Sequence, residues 1–140
     1  MNKKTAARLL GLMEVKTQVE KTGYAVLAQQ QQAALDEAAA LKRSASEAAL
    51  GAADGRASAT LKQAAAYSAR LYADARRKHQ DGHALEIKKQ QQRAQVHTAL
   101  QREIAAEHLL TAAESRDRKR RENAEEASRE LTRSGRAIGS

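Results

Sequence analysis

His79 and His83 stand four residues apart, on one face of a helix, with Asp81 between them. Such a set could share a divalent metal with a residue from an opposing helix. The chain has no cysteine and no third histidine near the pair, so the two side chains are taken as solvated and no metal is assigned. No nucleophile with a base and an orienting acid can be picked out, and neither can a glycine-rich phosphate loop or a paired-carboxylate cleft. The expectation is a protein that is not an enzyme and needs no cofactor. What remains is contact chemistry. Tyr67, Leu71 and Tyr72 cluster in a chain with three tyrosines and no Phe or Trp. Tyr67 and Leu71 lie at i, i+4 and share a helix face, with one of the two rings expected in the core and the other exposed. Aromatic anchors of this kind are common binding hot spots. Leu109 and Leu110 form a second candidate contact.

The elements that must carry these residues are helical. Proline, which costs about 3 kcal/mol inside a helix, is absent from all 140 residues. Ala, Glu, Lys, Leu and Arg supply 83 of the 140, a composition typical of long helices and coiled coils. Leu, Ile and Val number 21 and the net charge is +8, which would also suit a disordered chain, but 32 alanines weigh for helix. Too little bulky apolar volume is present to fill a globular core.

Breakers gather at Gly51-Ala-Ala-Asp-Gly55. The expected fold is therefore all-α: a long antiparallel two-helix coiled-coil hairpin with a longer second helix, one domain over 1–140. Helix 1 is placed at about 4–51, stopping at Gly51. The turn covers about 51–57 around Asp54-Gly55, and Ser58 or Thr60 is the candidate cap of the second helix. Helix 2 is placed at about 57–134, ending at Gly135, with a kink near Gly82 or a split there.

In helix 1 the apolar stripe expected at the seam is Leu12, Val15, Val19, Val26, Ala34, Ala38, Leu41, Ala45, Ala48 and Ala52, with a mean step close to 3.6. Hairpin arithmetic places Leu41 near Ser68, Ala38 near Leu71, Val26 near His83 and Leu12 near His97. It leaves Ala106 to Ser134, roughly thirty residues or about 45 Å, without a partner. That overhang is expected to be a charged helix laced by Glu114/Arg118, Asp117/Arg121 and Glu125/Arg129 at i, i+4.

Residues 62–102 hold nine basic and three acidic side chains. Lys62, Arg70, Arg76, Arg77, Lys78, Lys88, Lys89, Arg93 and Arg102 make a basic stripe suited to nucleic acid, acidic lipid or acidic protein. Nonspecific coating of nucleic acid is the alternative function, with a generic coiled-coil scaffold as a further one. Nucleic acid is nonetheless not the expected partner, because Tyr67 and Tyr72 lie in no recognition motif. The short glutamine runs at 29–32 and 90–92 are taken as polar helix faces. No apolar run is long enough to span a membrane or mark an export signal, and a soluble cytoplasmic protein is expected.

Several stretches together resemble the FliJ-type proteins of flagellar and type III secretion export. They are Arg8-Leu-Leu-Gly-Leu-Met-Glu-Val-Lys16 running into Tyr24-Ala-Val-Leu-Ala28, the break at 51–55, the basic second helix and Arg116-Asp-Arg-Lys-Arg-Arg-Glu-Asn-Ala-Glu-Glu-Ala127. The resemblance implies a stalk-like adaptor for flagellum biogenesis, motility and type III protein export. Its implied partners are the hexameric export ATPase, the cytoplasmic domain of the export-gate membrane protein, and export chaperones. It further implies a cytoplasmic protein held peripherally at the inner membrane through that apparatus, without inserting into it. The family's gate contact is an apolar i, i+4 pair early in the second helix, and here Tyr67 and Leu71 have that spacing.

Overall fold

The computed structural model describes the backbone of residues 1–53 and 58–138 and the side chains of 1–51 and 60–136. It is an all-α two-helix hairpin of α1 (Lys3–Ala53) and the longer α2 (Ser58–Ile138). Asn2 caps α1. Its side-chain oxygen accepts the Thr5 amide at 2.8 Å, and its carbonyl accepts the Ala6 amide at 3.0 Å, which satisfies donors that a helix start leaves open.

Both helices outrun their expected ends. α1 continues through Gly51 to Ala53, and α2 passes Gly135 to reach Ile138. One glycine costs about 1 kcal/mol relative to alanine, which the alanine-rich stretch around Gly51 tolerates. Asp54 and Gly55, the centre of the expected turn, lie outside the described residues, as does the side chain of Ser58. α2 is helical without a break across His79 to His83. Gly82 is buried there against Leu35, whose Cδ2 would stand 2.9 Å from an added Cβ. The glycine expected to interrupt the helix instead makes room for a neighbouring side chain.

The chain divides into two compact units, Met1–Val19 with His97–Ser140, and Glu20–Val96. In the second, the line of α1 that faces α2 is Glu20, Tyr24, Leu27, Gln31, Ala34, Ala38, Leu41, Ala45 and Ala48, with Gly23, Ala28, Leu35 and Ser46 half-buried beside it. Their counterparts on α2 are Ser68, Leu71, Ala75, Lys78, Gly82, Leu85, Lys89, Gln92 and Val96. In the first unit they are Ala6, Leu10, Met13 and Thr17 with Ala99, Glu103, Ala106, Leu110, Ala113 and Asp117. Steps of three and four alternate throughout, the 3.5-residue period of a heptad seam.

This corrects the expected stripe. Ala34, Ala38, Leu41, Ala45 and Ala48 are withdrawn from solvent, but Leu12, Val15, Val19 and Val26 are exposed. A 3.5 period and a 3.6 period diverge by about 20° per heptad. Followed back from Ala34, the heptad reaches Gln31, Leu27, Tyr24 and Glu20, whereas the 3.6 line runs off to the valines.

The register moves as well. Ser68 bonds Ala45, Lys78 meets Glu37, Gly82 lies against Leu35 and Arg116 reaches Met1. Each partner stands four to eight positions further along α2 than hairpin arithmetic placed it. Pairing in the first unit therefore extends past Ala106 and Ala113, both buried, and uninterrupted exposure begins only at Arg118. The unpaired stretch is shorter than the thirty residues expected.

The core is made of small residues. Ala6, Ala34, Ala38, Ala45, Ala75, Ala99, Ala106 and Ala113 are its buried apolar members, and no large side chain is fully buried among the described residues. Small side chains let backbones approach closely but each removes little apolar surface from water. Thr17 and Ser68 are buried with their hydroxyls satisfied, Thr17 donating to the Met13 carbonyl and Ser68 to the Ala45 carbonyl, each at 2.9 Å.

Candidate functional site

A shallow groove of about 450 Å³ opens between the helices in the Glu20–Val96 unit. Leu35, Ala38 and Ala39 of α1 and Tyr72 and Ala75 of α2 give it apolar walls, and Lys42, Arg76, His79 and Gln80 supply the polar lining. No carboxylate of the described residues lines it. Heptad packing explains the groove: Ala38 and Ala75 are seam residues too short to fill the space beside them, and Tyr72 stands next to the seam residue Leu71. The Tyr72 hydroxyl and the Ser46 hydroxyl are 3.1 Å apart and hydrogen-bonded, which holds the ring in place. Such a site can take an apolar side chain from a helix or extended segment and meet its acidic neighbours with cations.

Of the residues singled out from sequence, Tyr72 lines the groove, while Tyr67 and Leu71 do not. Leu71 is half-buried in the seam, and both rings are exposed, Tyr67 at 54% and Tyr72 at 37%, so the expectation of one core ring is not met. In the other unit Leu110 is half-buried in the seam and Leu109 is 41% exposed beside it, so both stand within the paired stretch. Arg76 of the basic stripe and His79 also line it, whereas Leu35, Ala39, Lys42 and Gln80 were not anticipated. Only a heptad register anchored on Ala34 and Ala38 would have brought them together with Tyr72.

Besides the Ser68–Ala45, Tyr72–Ser46 and Lys78–Glu37 contacts, the same unit carries two polar cross-links between the helices centred on glutamines. The Gln92 amide nitrogen donates to the Glu20 carbonyl at 3.0 Å and to the Glu20 carboxylate at 2.6 Å. Gly23 makes way for that amide, which would stand 3.0 Å from an added Cβ. In the second, Lys89 donates to the Gln31 side-chain oxygen at 2.8 Å and pairs with Glu86 at 3.0 Å, while the Gln31 amide donates to Glu86. Gln90 also donates to Glu86, at 2.8 Å. These bonds, first that from Gln90 and then those from Lys89 and Gln31, hold the Glu86 carboxyl at a pKa of about 2. Members of both glutamine runs are thus structural joints as well as polar surface.

Part of the basic stripe is neutralised within the chain, Arg77 by Asp74, Lys78 by Glu37 at 3.2 Å and Lys89 by Glu86. At the end of the paired stretch Asp117 is shared by Arg120 at 3.5 Å and Arg121 at 3.3 Å. Among the described residues no group of three or more His, Asp or Glu could hold a metal ion, and no helix is long and apolar enough to cross a membrane. Compared with known proteins, the chain matches no family model, no curated protein and no solved structure.

Proposed function

We propose that the protein is a non-enzymatic, stalk-like adaptor of the FliJ type in flagellar or type III protein export. It joins the hexameric export ATPase to the cytoplasmic domain of the export-gate membrane protein and handles export chaperones. It works in the cytoplasm and meets the inner membrane only through that apparatus. The observation that carries this reading is the coexistence of two distinct contact surfaces on one helical hairpin. One is the apolar groove around Tyr72. The other is the charged end of α2, exposed without interruption from Arg118 to Arg136.

A linker needs surfaces that do not compete, and these belong to different compact units. The groove would take an apolar segment of the gate domain, and the charged end would enter the ATPase. The test is a pull-down with purified export ATPase and gate cytoplasmic domain. Both should be retained. Ala39→Glu, at an exposed position that lines the groove, and Tyr72→Ala should each lose the gate domain and keep the ATPase. Retention of neither protein would overturn the proposal.

A further inference from the structure

The N-terminal part of α1 carries a face that the hairpin leaves unused. Leu12, Val15 and Val19 are 65, 63 and 63% exposed. At 3.6 residues per turn their line lies about 155° around the helix from Ala6, Leu10, Met13 and Thr17, which face α2. Their spacing, three residues and then four, is that of one side of a helix–helix seam. Lys4, Arg8 and Lys16 are exposed on the same side, and Glu14 projects from another part of the helix circumference. Gly11 lies beside Leu12 and Val15, and a Cβ there would meet nothing within 4 Å. Gly23 and Gly82 each make room for a neighbour within the chain, whereas Gly11, like Gly51 and Gly135, has open space where a side chain would stand.

We propose that this face docks an amphipathic helix of another protein, one with apolar residues at heptad spacing flanked by acidic side chains. The apolar line supplies the knobs, the three cations choose acidic flanks, and Gly11 lets the partner backbone come close. A second copy of the same chain is disfavoured by charge, because it would bring cations against cations. A lipid surface is disfavoured by area, because three aliphatic side chains with no aromatic anchor bury little in a bilayer interface. The inference is independent of the export reading and uses other residues.

The test uses the full chain and two synthetic helical peptides with Leu at their a and d positions, one with Glu and the other with Lys at e and g. The Glu peptide should bind and the Lys peptide should not. Val15→Ser/Val19→Ser and Arg8→Glu/Lys16→Glu should each weaken binding about tenfold or more, as expected when the centre of an interface is lost. Gly11→Ala should also weaken binding while its unfolding midpoint stays at or above that of the parent, which separates lost docking from lost folding. Absence of Glu-peptide binding, equal binding of both peptides, or binding indifferent to these variants would overturn the proposal. So would loss, in the same variants, of sedimentation with phosphatidylglycerol vesicles or of a dimer seen by light scattering.

Discussion

Glu86 ties the hairpin's stability to pH. Its carboxyl has a pKa lowered from 4.5 to about 2 by hydrogen bonds from Gln90, Lys89 and Gln31. A depressed carboxylate contributes stability that is complete above its unfolded pKa and is lost as pH falls through the folded value. Urea midpoints followed by circular dichroism should therefore drop between pH 4.5 and 2, and Glu86→Gln should flatten that part of the profile. The glycines make a second test. Gly11→Ala meets empty space and should stabilise by about 0.5–1 kcal/mol through helix propensity. Gly82→Ala gains the same propensity but must push Leu35 aside, so its net effect should fall within about 1 kcal/mol of zero. Thermal melts of the two variants would separate these cases.

At the level of the element, the helices were legible and the face they share was only half so. Absence of proline and abundance of alanine identify two long helices without any tertiary information. Ala34, Ala38, Leu41, Ala45 and Ala48 also mark the seam correctly. Toward the N-terminus the bulkier Leu12, Val15 and Val19 outweigh Ala6, Thr17 and Glu20 in any hydrophobic pattern, yet the seam follows geometry. Polar residues are tolerated in it because the second helix answers them, as Gln92 answers Glu20. The groove was harder to foresee, since it depends on which alanines face each other and that is set by the register. Ser68→Ala removes a buried bond to the Ala45 carbonyl and should cost about 0.5–1.5 kcal/mol in denaturant unfolding. Replacing Gln31 and Gln92 together by alanine should let cysteine pairs placed one heptad out of step cross-link, where the parent register excludes them.

For the molecule as a whole, the small-residue core means that little apolar surface backs each turn, and exposed helix contributes least. From Arg118 to Arg136 every side chain is exposed. Amides there should exchange hydrogen faster than those from Ala99 to Ala113, because few packed contacts oppose local opening. Replacing Glu126, Arg129 and Arg133, all exposed, by glutamine should leave the unfolding free energy within about 0.5 kcal/mol of the parent, the range usual for changes that touch no buried group. The polar cross-links of the Glu20–Val96 unit have a mechanical meaning. The alanines of the seam look much the same after a slip of seven residues, so they offer little resistance when one helix is pulled along the other. The joints at Gln92 and Gln31 have no equivalent a heptad away. With the Ser68–Ala45 bond and the Lys78–Glu37 ion pair they act as shear pins: force applied lengthwise to one helix of this unit would be borne at a few fixed levels, and sliding would begin only when these had let go.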